Sequence, residues 1–281
     1  MKSILAGFLS CAALAAAFTP ARADCIGGIG TGDLVEPGKL LLSINPTNPP
    51  QQFIDADGKL RGLNVEFADE IAKRICLPVD LVRMDFPGMI PAVKAGRLDG
   101  LDTGMFFNEE RSKILYMVPY GVQAMSVIVA VDGKVGISGP ADLSGKSVAV
   151  ENNSYQQKWL TSFNADQVAK GAQPITIRSF DTATDVAGVL LAGQVDGALL
   201  IDSVARSLVA KGRVKEVATG LGENRMSMGF RNKAVADTVV KALGAMQADG
   251  TYTALFQKFG LTALPNGQAV AIVGPGPDAK P

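Results

Sequence analysis

Apolar runs and amphipathic stretches alternate through the first half of the chain. Residues Leu40 to Ile44 form a mostly apolar run typical of a buried strand, and apolar positions recur at helical spacing over residues 65–75. A second strand is predicted over 79–82, followed by an amphipathic helix that ends at Gly96, a favourable C-cap residue, and by a strand over 98–103. This β-α-β-α-β order predicts a parallel sheet covered by helices.

The second half of the chain repeats this alternation. An apolar strand over 124–131 leads into it, and another over 226–230 leaves it. Between them the pattern predicts three strands and three helices, over residues 147–150, 155–163, 175–178, 183–191, 197–201 and 203–210. Two more helices follow, over 234–249 and 251–259. A chain of this length can bury a large core, and two compact lobes fit it well.

The first 23 residues have the three parts of a secretory signal. Lys2 supplies the positive charge, residues 4–18 are apolar and rich in alanine, and Ala21-Arg22-Ala23 is an A-x-A cleavage site. Cleavage after Ala23 would release a mature periplasmic protein that begins at Asp24. The alternative is a membrane-spanning helix, but the apolar run ends at Pro20 and is shorter than the roughly 20 residues that a span requires.

Composition narrows the possible partners. Removal of the signal leaves 25 basic and 27 acidic residues, a net charge of −2, which argues against nucleic acid as a partner. The sequence has no histidine, no G-x-S-x-G motif, no P-loop and no cluster of metal-ligand residues. We therefore predict no cofactor, no metal site and no catalytic residue.

Two cysteines, Cys25 and Cys76, remain in the mature chain. Disulfides persist in oxidising compartments, so an even pair there favours one bridge. This disulfide would tie the mature N-terminus to the end of the helix predicted over 65–75. The alternative is a buried thiol at Cys76 and a free thiol at Cys25.

One arginine is a candidate ligand anchor. After a predicted strand the chain turns at Gly104 and starts a helical turn at Asn108, a favoured N-cap residue, which places Arg111 near the end of that strand. A guanidinium is always charged and offers a planar fork of donors that fits a carboxylate, so an arginine fixed there is suited to recognising an acid. The alternative is a surface arginine paired with Glu109 or Glu110.

Three groups of residues match motifs of one known family. The first group surrounds the candidate anchor and comprises Gly96, Arg97, Asp99, Thr103, Gly104, Met105, Glu110, Arg111, Pro119 and Tyr120. The others are Gly58, Gly62, Asn64, Val65 and Glu66, and the segments 142–150 and 248–252. Their order and spacing from Lys39 to Gly260 resemble the solute-binding proteins of polar amino acid ABC transporters, the family 3 extracellular solute-binding proteins.

The resemblance implies an α/β fold of the type II periplasmic binding class, with two lobes that are each a mostly parallel sheet flanked by helices. Two hinge strands would join them. Residues 24–121 and 231–263 would form lobe 1, residues 122–230 lobe 2, and the Gly- and Pro-rich residues 264–281 a disordered tail. Such a protein is expected to be a monomer that closes around an amino acid or amino-acid-like solute and delivers it to a membrane permease.

The resemblance also implies roles for charged residues. Arg111 would hold a ligand carboxylate, helped by backbone N–H groups at the helix that follows Ser154. The Ser154 hydroxyl would either contact the ligand or only cap that helix. Asp202 would accept the ligand ammonium, although its spacing from the preceding acid is one residue longer than in many relatives; the alternative is that Asp202 caps the next helix.

The remaining predicted contacts complete the ammonium shell or line the pocket for the ligand side chain. The ammonium shell would include Thr103 and the backbone around Gly104 and Met105. The pocket would be lined by Phe106, Tyr155, Asn48 and Phe53. Asn48 and Gln51 replace two aromatic residues that many relatives carry, and Phe106 stands where a small Ser or Thr is usual. The pattern therefore predicts a class of ligand and leaves its identity open.

A different function class remains open on the same scaffold. A periplasmic enzyme such as a cyclohexadienyl dehydratase-like lyase could share this fold, since fold does not fix function. In that case an acid such as Glu66 or Asp202 would act as general base.

Overall fold

The computed structural model describes residues 25–133, 136–265 and 267–278. The predicted signal segment and its cleavage site lie outside these residues. The strands of the described part are β1 (Leu40–Ile44), β2 (Thr47–Asn48), β3 (Gln52–Ile54), β4 (Leu60–Arg61), β5 (Val79–Arg83), β6 (Gly100–Phe106), β7 (Tyr116–Ala130), β8 (Ser147–Glu151), β9 (Thr176–Phe180), β10 (Gly197–Ile201), β11 (Val214–Phe230) and β12 (Thr262–Ala263). Its α-helices are α1 (Leu63–Ile75), α2 (Phe86–Lys94), α3 (Glu109–Ser112), α4 (Tyr155–Ala169), α5 (Ala183–Leu191), α6 (Asp202–Val209), α7 (Lys233–Asp249) and α8 (Thr251–Phe259).

One large sheet runs through the molecule in the strand order β5-β1-β6-β11-β7-β10-β8-β9. β5, β1 and β6 are parallel and belong to what we call the first lobe. β10, β8 and β9 are parallel and belong to the second lobe. The long strands β7 and β11 run antiparallel to each other between the lobes, where β7 pairs with β10 and β11 pairs with β6. The predicted architecture of two mostly parallel lobes joined by two strands is confirmed.

Each lobe has its own apolar core. In β1, Leu40 and Leu42 face a core formed with α1, α7 and α8, whereas Leu41 faces a second core formed with α2. Successive side chains of a strand point to opposite faces, so one strand supplies both cores. The second lobe is packed around residues such as Val148 and Leu199. Separate cores are the arrangement expected of two bodies that move about connecting strands.

The two connecting strands are longer than the sequence pattern predicts. β7 starts at Tyr116 and β11 at Val214, well before the apolar runs at 124 and 226. Pro119 in β7 and two glycines in β11, Gly220 and Gly222, interrupt the alternation that marks a strand. The two strands pair with each other over most of their length, with several register shifts, and this pairing rather than local propensity extends them.

Helix α1 begins at Leu63 with Gly62 as its N-cap, two residues before the start of the helical pattern over 65–75. Gly62 has φ 126°, a conformation that favours glycine, and a Cβ there would overlap the Gln51 carbonyl. Asn64 is buried in the first turn of α1, where its side-chain oxygen accepts a hydrogen bond from the Tyr120 hydroxyl at 2.9 Å.

The predicted disulfide is present between Cys25 and Cys76, whose Cα atoms are 5.5 Å apart. Cys76 is the C-cap of α1 and adopts a left-handed conformation. The neighbouring Ile26 N–H donates to the Arg74 carbonyl at 2.8 Å. Residues 25 and 26 are therefore tied to the end of α1.

The segment expected to be a disordered tail instead packs against the first lobe over its described residues. Leu264 and Val270 are buried in the core that contains α7 and α8. Further on, Val273 forms a β-bridge with Met117, and the Gly276 N–H donates to the Ser112 carbonyl at 2.8 Å. The expectation of disorder rested on the high content of glycine and proline and did not take these apolar side chains into account.

Across the described residues, none of the helices combines the length and the apolar character that a membrane crossing demands.

Candidate functional site

The carboxyl ends of two pairs of parallel strands meet between the lobes. Asn45 follows β1 and Phe106 ends β6 in the first lobe, while Glu151 ends β8 and Asp202 follows β10 in the second. Ligands of open α/β sheets bind at such carboxyl ends. The side chains that extend from these ends towards the other lobe form the candidate site.

Arg111 lies at this junction and is buried, with 7% of its surface exposed. Its backbone N–H is held by the Asn108 side chain at 2.7 Å, because Asn108 is the N-cap of α3 as predicted. Its guanidinium donates to the Phe106 carbonyl at 2.9 Å and, across the lobes, to the Asn153 carbonyl at 3.0 Å. The guanidinium carbon lies 5.3 Å from the centre of the Phe86 ring.

The alternative of a surface arginine paired with Glu109 or Glu110 does not describe this residue. Glu110 pairs instead with Lys158 of the second lobe at 2.8 Å. Burial lowers the pKa of Arg111 to about 10, against the opposing effect of Glu151 and Glu110. A guanidinium has five N–H donors, and two of them are used within the described part of the chain. Arg111 is therefore a buried cation with donors to spare, which favours an anionic partner.

Glu151 is the residue that the sequence analysis missed. Its side chain is buried, with 4% of the residue exposed, and its Oε1 accepts a hydrogen bond from the Asn45 amide of the first lobe at 2.9 Å. Burial raises the pKa of Glu151 to about 8, although the Asn45 bond and the charge of Arg111 act in the opposite direction. A charged residue directly after the apolar run Val148-Ala149-Val150, at the carboxyl end of a predicted strand, was the available signal.

The N-terminus of α4 lies beside Arg111. The Ser154 hydroxyl accepts the Gln157 N–H at 3.0 Å, so Ser154 acts as the N-cap of this helix. Asn153, whose carbonyl receives Arg111, immediately precedes it. A groove of about 570 Å³ opens next to Arg111 and is lined by residues of α3 and of the first turns of α4. A guanidinium and a helix N-terminus at one groove both favour an anion.

Two aromatic rings close the cleft beside these charges. Phe106 of the first lobe stacks on Tyr155 of the second, with ring centres 4.6 Å apart and an angle of 19° between the planes. Phe106 is buried among the core residues of the second lobe. Both residues were predicted to line the pocket, and the structure brings them together across the cleft.

A chain of polar contacts runs along the other end of the cleft. The Gln51 amide donates to Gln123 at 2.7 Å and to the Ser203 hydroxyl at 3.4 Å, and the Gln123 amide donates to the Gly104 carbonyl at 2.6 Å. Gly104 has φ 64°, and a Cβ there would overlap Gln51 Oε1. Glycine is thus required at this motif position by the backbone and by the close approach of Gln51.

Three other predicted residues belong to a core or to the small sheet. Met105 is buried in a core of the first lobe. Asn48 and Phe53 belong to the small sheet of β2, β3 and β4, where Asn48 is buried and pairs with Gln52. Thr103 helps to hold this region together. Its hydroxyl oxygen accepts hydrogen bonds from the Asn45 N–H at 3.2 Å and from the Gln52 amide at 3.1 Å.

Asp202 faces the connecting strands. It is the first residue of α6, and its Oδ1 accepts the Ser126 hydroxyl of β7 at 2.7 Å. Its other oxygen lies 4.0 Å from Arg206, and Ser126 is also within 2.7 Å of Glu216 on β11. The hydrogen-bond partner of Asp202 within the described part of the chain is therefore on a connecting strand and not among the residues around Arg111.

No group of three or more His, Cys, Asp or Glu side chains converges as metal ligands would within the residues that the structure describes.

The chain is similar to known proteins over most of its length. The family model for bacterial extracellular solute-binding proteins, family 3, matches residues 40–262. The L-cystine-binding protein TcyJ of Escherichia coli K12 is 28% identical over 229 residues, which cover 80% of this chain and 83% of the relative. The probable ABC transporter arginine-binding protein ArtJ of Chlamydia trachomatis is 28% identical over 245 residues, covering 82% and 91%. The solved structure of an ancestral arginine-binding protein bound to arginine is 29% identical, with a TM-score of 0.73 and coverage of 79% and 98%.

Proposed function

Because this chain belongs to the family 3 bacterial extracellular solute-binding proteins, we propose that it binds an amino acid or an amino-acid-like solute and delivers it to the permease of an ABC transporter. The names of the relatives support this ligand class, since they are described as binding L-cystine and arginine. Their coverage of both chains supports a role for the whole mature protein.

The observation that carries the proposal is the buried cation at the junction of the lobes. Among the residues that the structure describes, Arg111 has unused donors, lies beside the N-terminus of α4, and reaches both lobes through its bonds to Phe106 and Asn153. A ligand carboxylate bound there would pair with the guanidinium and with the backbone N–H groups at the start of α4. We therefore assign the carboxylate site to Arg111.

Ligand binding would be coupled to closure of the lobes. Contacts from one lobe to the other run through Asn45 to Glu151, Arg111 to Asn153, and Glu110 to Lys158. These bonds would break when the cleft opens and re-form when it closes, with β7 and β11 as the hinge. The division into residues 24–121 with 231–263 and residues 122–230 follows from this hinge and belongs to the proposal.

A thermal-shift screen of the protein from Asp24 to Pro281 against the twenty L-amino acids and L-cystine tests the function. A ligand that binds only the folded state raises the unfolding temperature, so at least one member of the panel should do so. The screen should include small organic acids without an amino group. A response to those acids alone would contradict the amino acid assignment.

The anchor is tested by Arg111→Ala, with Arg97→Ala as the matched control because Arg97 is exposed in the same lobe. Truncating one member of a buried charge pair costs about 2 to 5 kcal/mol, so Arg111→Ala should weaken binding by about 30-fold to several thousand-fold in calorimetry. Arg97→Ala should bind like the unaltered protein. Equal affinity of Arg111→Ala and Arg97→Ala for the ligand would remove Arg111 from the site.

Export and assembly complete the proposal. We infer a periplasmic monomer whose signal is cleaved after Ala23. Intact-mass measurement of the protein recovered from a periplasmic extract should give the mass of residues 24–281 with one disulfide. Gel filtration with light scattering should give the mass of one chain.

The same screen separates this function from the enzyme alternative, for which Glu151 would be the most plausible general base because its pKa is raised by burial. Each solute that shifts the unfolding temperature should be incubated with the protein and followed by NMR. We propose a binding protein without catalytic activity, so the solute should be recovered unchanged. Formation of a product would support the enzyme instead.

A further inference from the structure

We propose that Glu151, and not Asp202, receives the cationic group of the ligand, so that the solute is a zwitterion held between Arg111 and Glu151. This inference rests on the proposed function, because it assumes that Arg111 binds the ligand carboxylate. It names a specificity-determining residue and restricts the ligand to solutes that carry an ammonium close to a carboxylate.

The first support is position. Glu151 is the last residue of β8, and Asn153, which accepts the Arg111 bond, is only two residues further along. The two buried ionisable groups therefore belong to the same end of the cleft. They also influence each other, since the charge of Arg111 opposes the rise in the pKa of Glu151. An amino acid places its ammonium and carboxylate on one carbon, and such a ligand needs opposite charges that converge in this way.

The second support is the unused bonding capacity of both groups. A carboxylate has about four acceptor positions. Within the described residues one hydrogen bond reaches Glu151, from the Asn45 amide to Oε1. Arg111 donates hydrogen bonds to two backbone carbonyls. No salt bridge within 4.0 Å links it to an acid among the same residues. Arg111 can thus pair with a ligand carboxylate, and the Glu151 carboxyl can accept a ligand ammonium, whose positive charge favours the ionised form of Glu151.

The third support is the state of Asp202. Its Oδ1 already accepts the Ser126 hydroxyl, and Arg206 lies 4.0 Å from its other oxygen. Ser126 also contacts Glu216, which ties this group to both connecting strands. Asp202 would have to break these contacts to reach a ligand beside Arg111. Glu151 needs no such rearrangement because it is already in the cleft.

Glu151→Gln tests the proposal, and Asp202→Asn is its matched control. Both changes replace a carboxyl group with an amide and nearly preserve shape. The probes are the L-amino acids that bind in the screen, each paired with its desamino analogue, for example L-arginine with 5-guanidinopentanoate. Calorimetry measures the affinity of each protein for both members of a pair.

Glu151→Gln should weaken binding of the amino acid by about 10- to 100-fold, as expected for loss of a hydrogen bond to a charged group, and should change binding of the desamino analogue by less than about threefold. Asp202→Asn should affect both members of a pair equally. Equal losses for both probes in Glu151→Gln, or a loss confined to the amino acid in Asp202→Asn, would overturn the proposal.

A second variant and the ligand binding of the unaltered protein distinguish failure of this proposal from misfolding and from failure of the proposed function. If Glu151→Gln does not fold, Glu151→Asp keeps the carboxyl group at a shorter reach; it should bind the amino acid less tightly and still prefer it to the desamino analogue. Loss of that preference in Glu151→Asp would count against the proposal. If the unaltered protein binds desamino analogues as tightly as amino acids, the role of Glu151 is wrong while carboxylate binding at Arg111 stands. If it binds no carboxylate at all, the proposed function itself fails.

Discussion

Arg111 and Glu151 are both buried, and neither is neutralised by a salt bridge with the other. Each makes hydrogen bonds with uncharged partners, backbone carbonyls for Arg111 and the Asn45 amide for Glu151. Burial of a charge without a counter-charge costs several kcal/mol, and proteins often reduce this cost through a shift in pKa. Burial causes both shifts: it lowers the pKa of Arg111 to about 10 and raises the pKa of Glu151 to about 8.

The shift of Glu151 predicts how stability depends on pH. The folded protein holds the Glu151 proton up to a pKa of about 8, whereas the unfolded chain releases it near the ordinary value of 4.5. The contribution of Glu151 to the free energy of unfolding is therefore complete below pH 4.5 and is lost as the pH rises through 8. Glutamine does not titrate, so the free energy of unfolding of the unaltered protein should fall relative to that of Glu151→Gln between pH 5 and pH 8.5.

Urea unfolding at pH 5, 7 and 8.5 measures this difference. Asp102 is also buried and its pKa is raised by burial, but it is common to both proteins and its effect cancels. Parallel pH profiles for the two proteins would show that Glu151 titrates in the folded state as it does in the unfolded chain.

At the scale of elements, the segment 267–278 is the largest departure from expectation. It crosses the end of α3 and the start of β7, close to Arg111 in the chain, through the Gly276–Ser112 and Val273–Met117 contacts. Tyr116 also hydrogen-bonds to Asp278. The segment lies beyond the part of the chain that matches the family. It acts as a strap over the element that carries the proposed carboxylate anchor.

Two glycines allow a test of this strap. Gly276 and Gly267 have similar positive φ values, 76° and 81°, so substitution by alanine causes similar backbone strain at both positions. A Cβ at Gly276 would overlap the Tyr116 ring, whereas a Cβ at Gly267 meets nothing within 4 Å. Gly276→Ala should therefore lower the free energy of unfolding by about 1 to 3 kcal/mol more than Gly267→Ala, as overpacking does.

Urea unfolding of the two variants provides the comparison. Similar stabilities would mean that the strap leaves the surface of the first lobe in solution, as the composition of residues 264–281 suggested. The ligand affinity of Gly276→Ala then shows whether the strap also helps to hold α3.

The elements that the sequence predicted well have patterns that are visible locally. The alternation of strands and helices from Leu40 to Phe259 specified two parallel lobes, and Asn108 identified the turn that carries Arg111. The features that the sequence missed depend on contacts between distant segments. β7 and β11 are lengthened by their pairing with each other. Asp202 and Glu151 form hydrogen bonds with Ser126 and Asn45, which lie 76 and 106 residues away in the chain.

At the scale of the whole molecule, the disulfide and the cleft lie at opposite ends of α1. Gly62 at the start of the helix touches Gln51, which belongs to the polar contacts of the cleft. Cys76 caps the other end, after the 13 residues of the helix, which correspond to about 20 Å. Stabilisation by the disulfide and recognition of the ligand should therefore be separable.

Cys25→Ser combined with Cys76→Ser tests this separation. The bridge closes a loop with a sequence separation of 51, for which the chain-entropy relation gives about 4 kcal/mol, and native bridges usually contribute about 2 to 5 kcal/mol. The double variant should lose that much in urea unfolding and retain the affinity of the unaltered protein for its ligand within about twofold, measured at a temperature where both are folded. A large loss of affinity with little loss of stability would mean that the N-terminal attachment shapes the cleft through α1 and Gln51, and the two ends of the helix would then have to be treated as one functional unit.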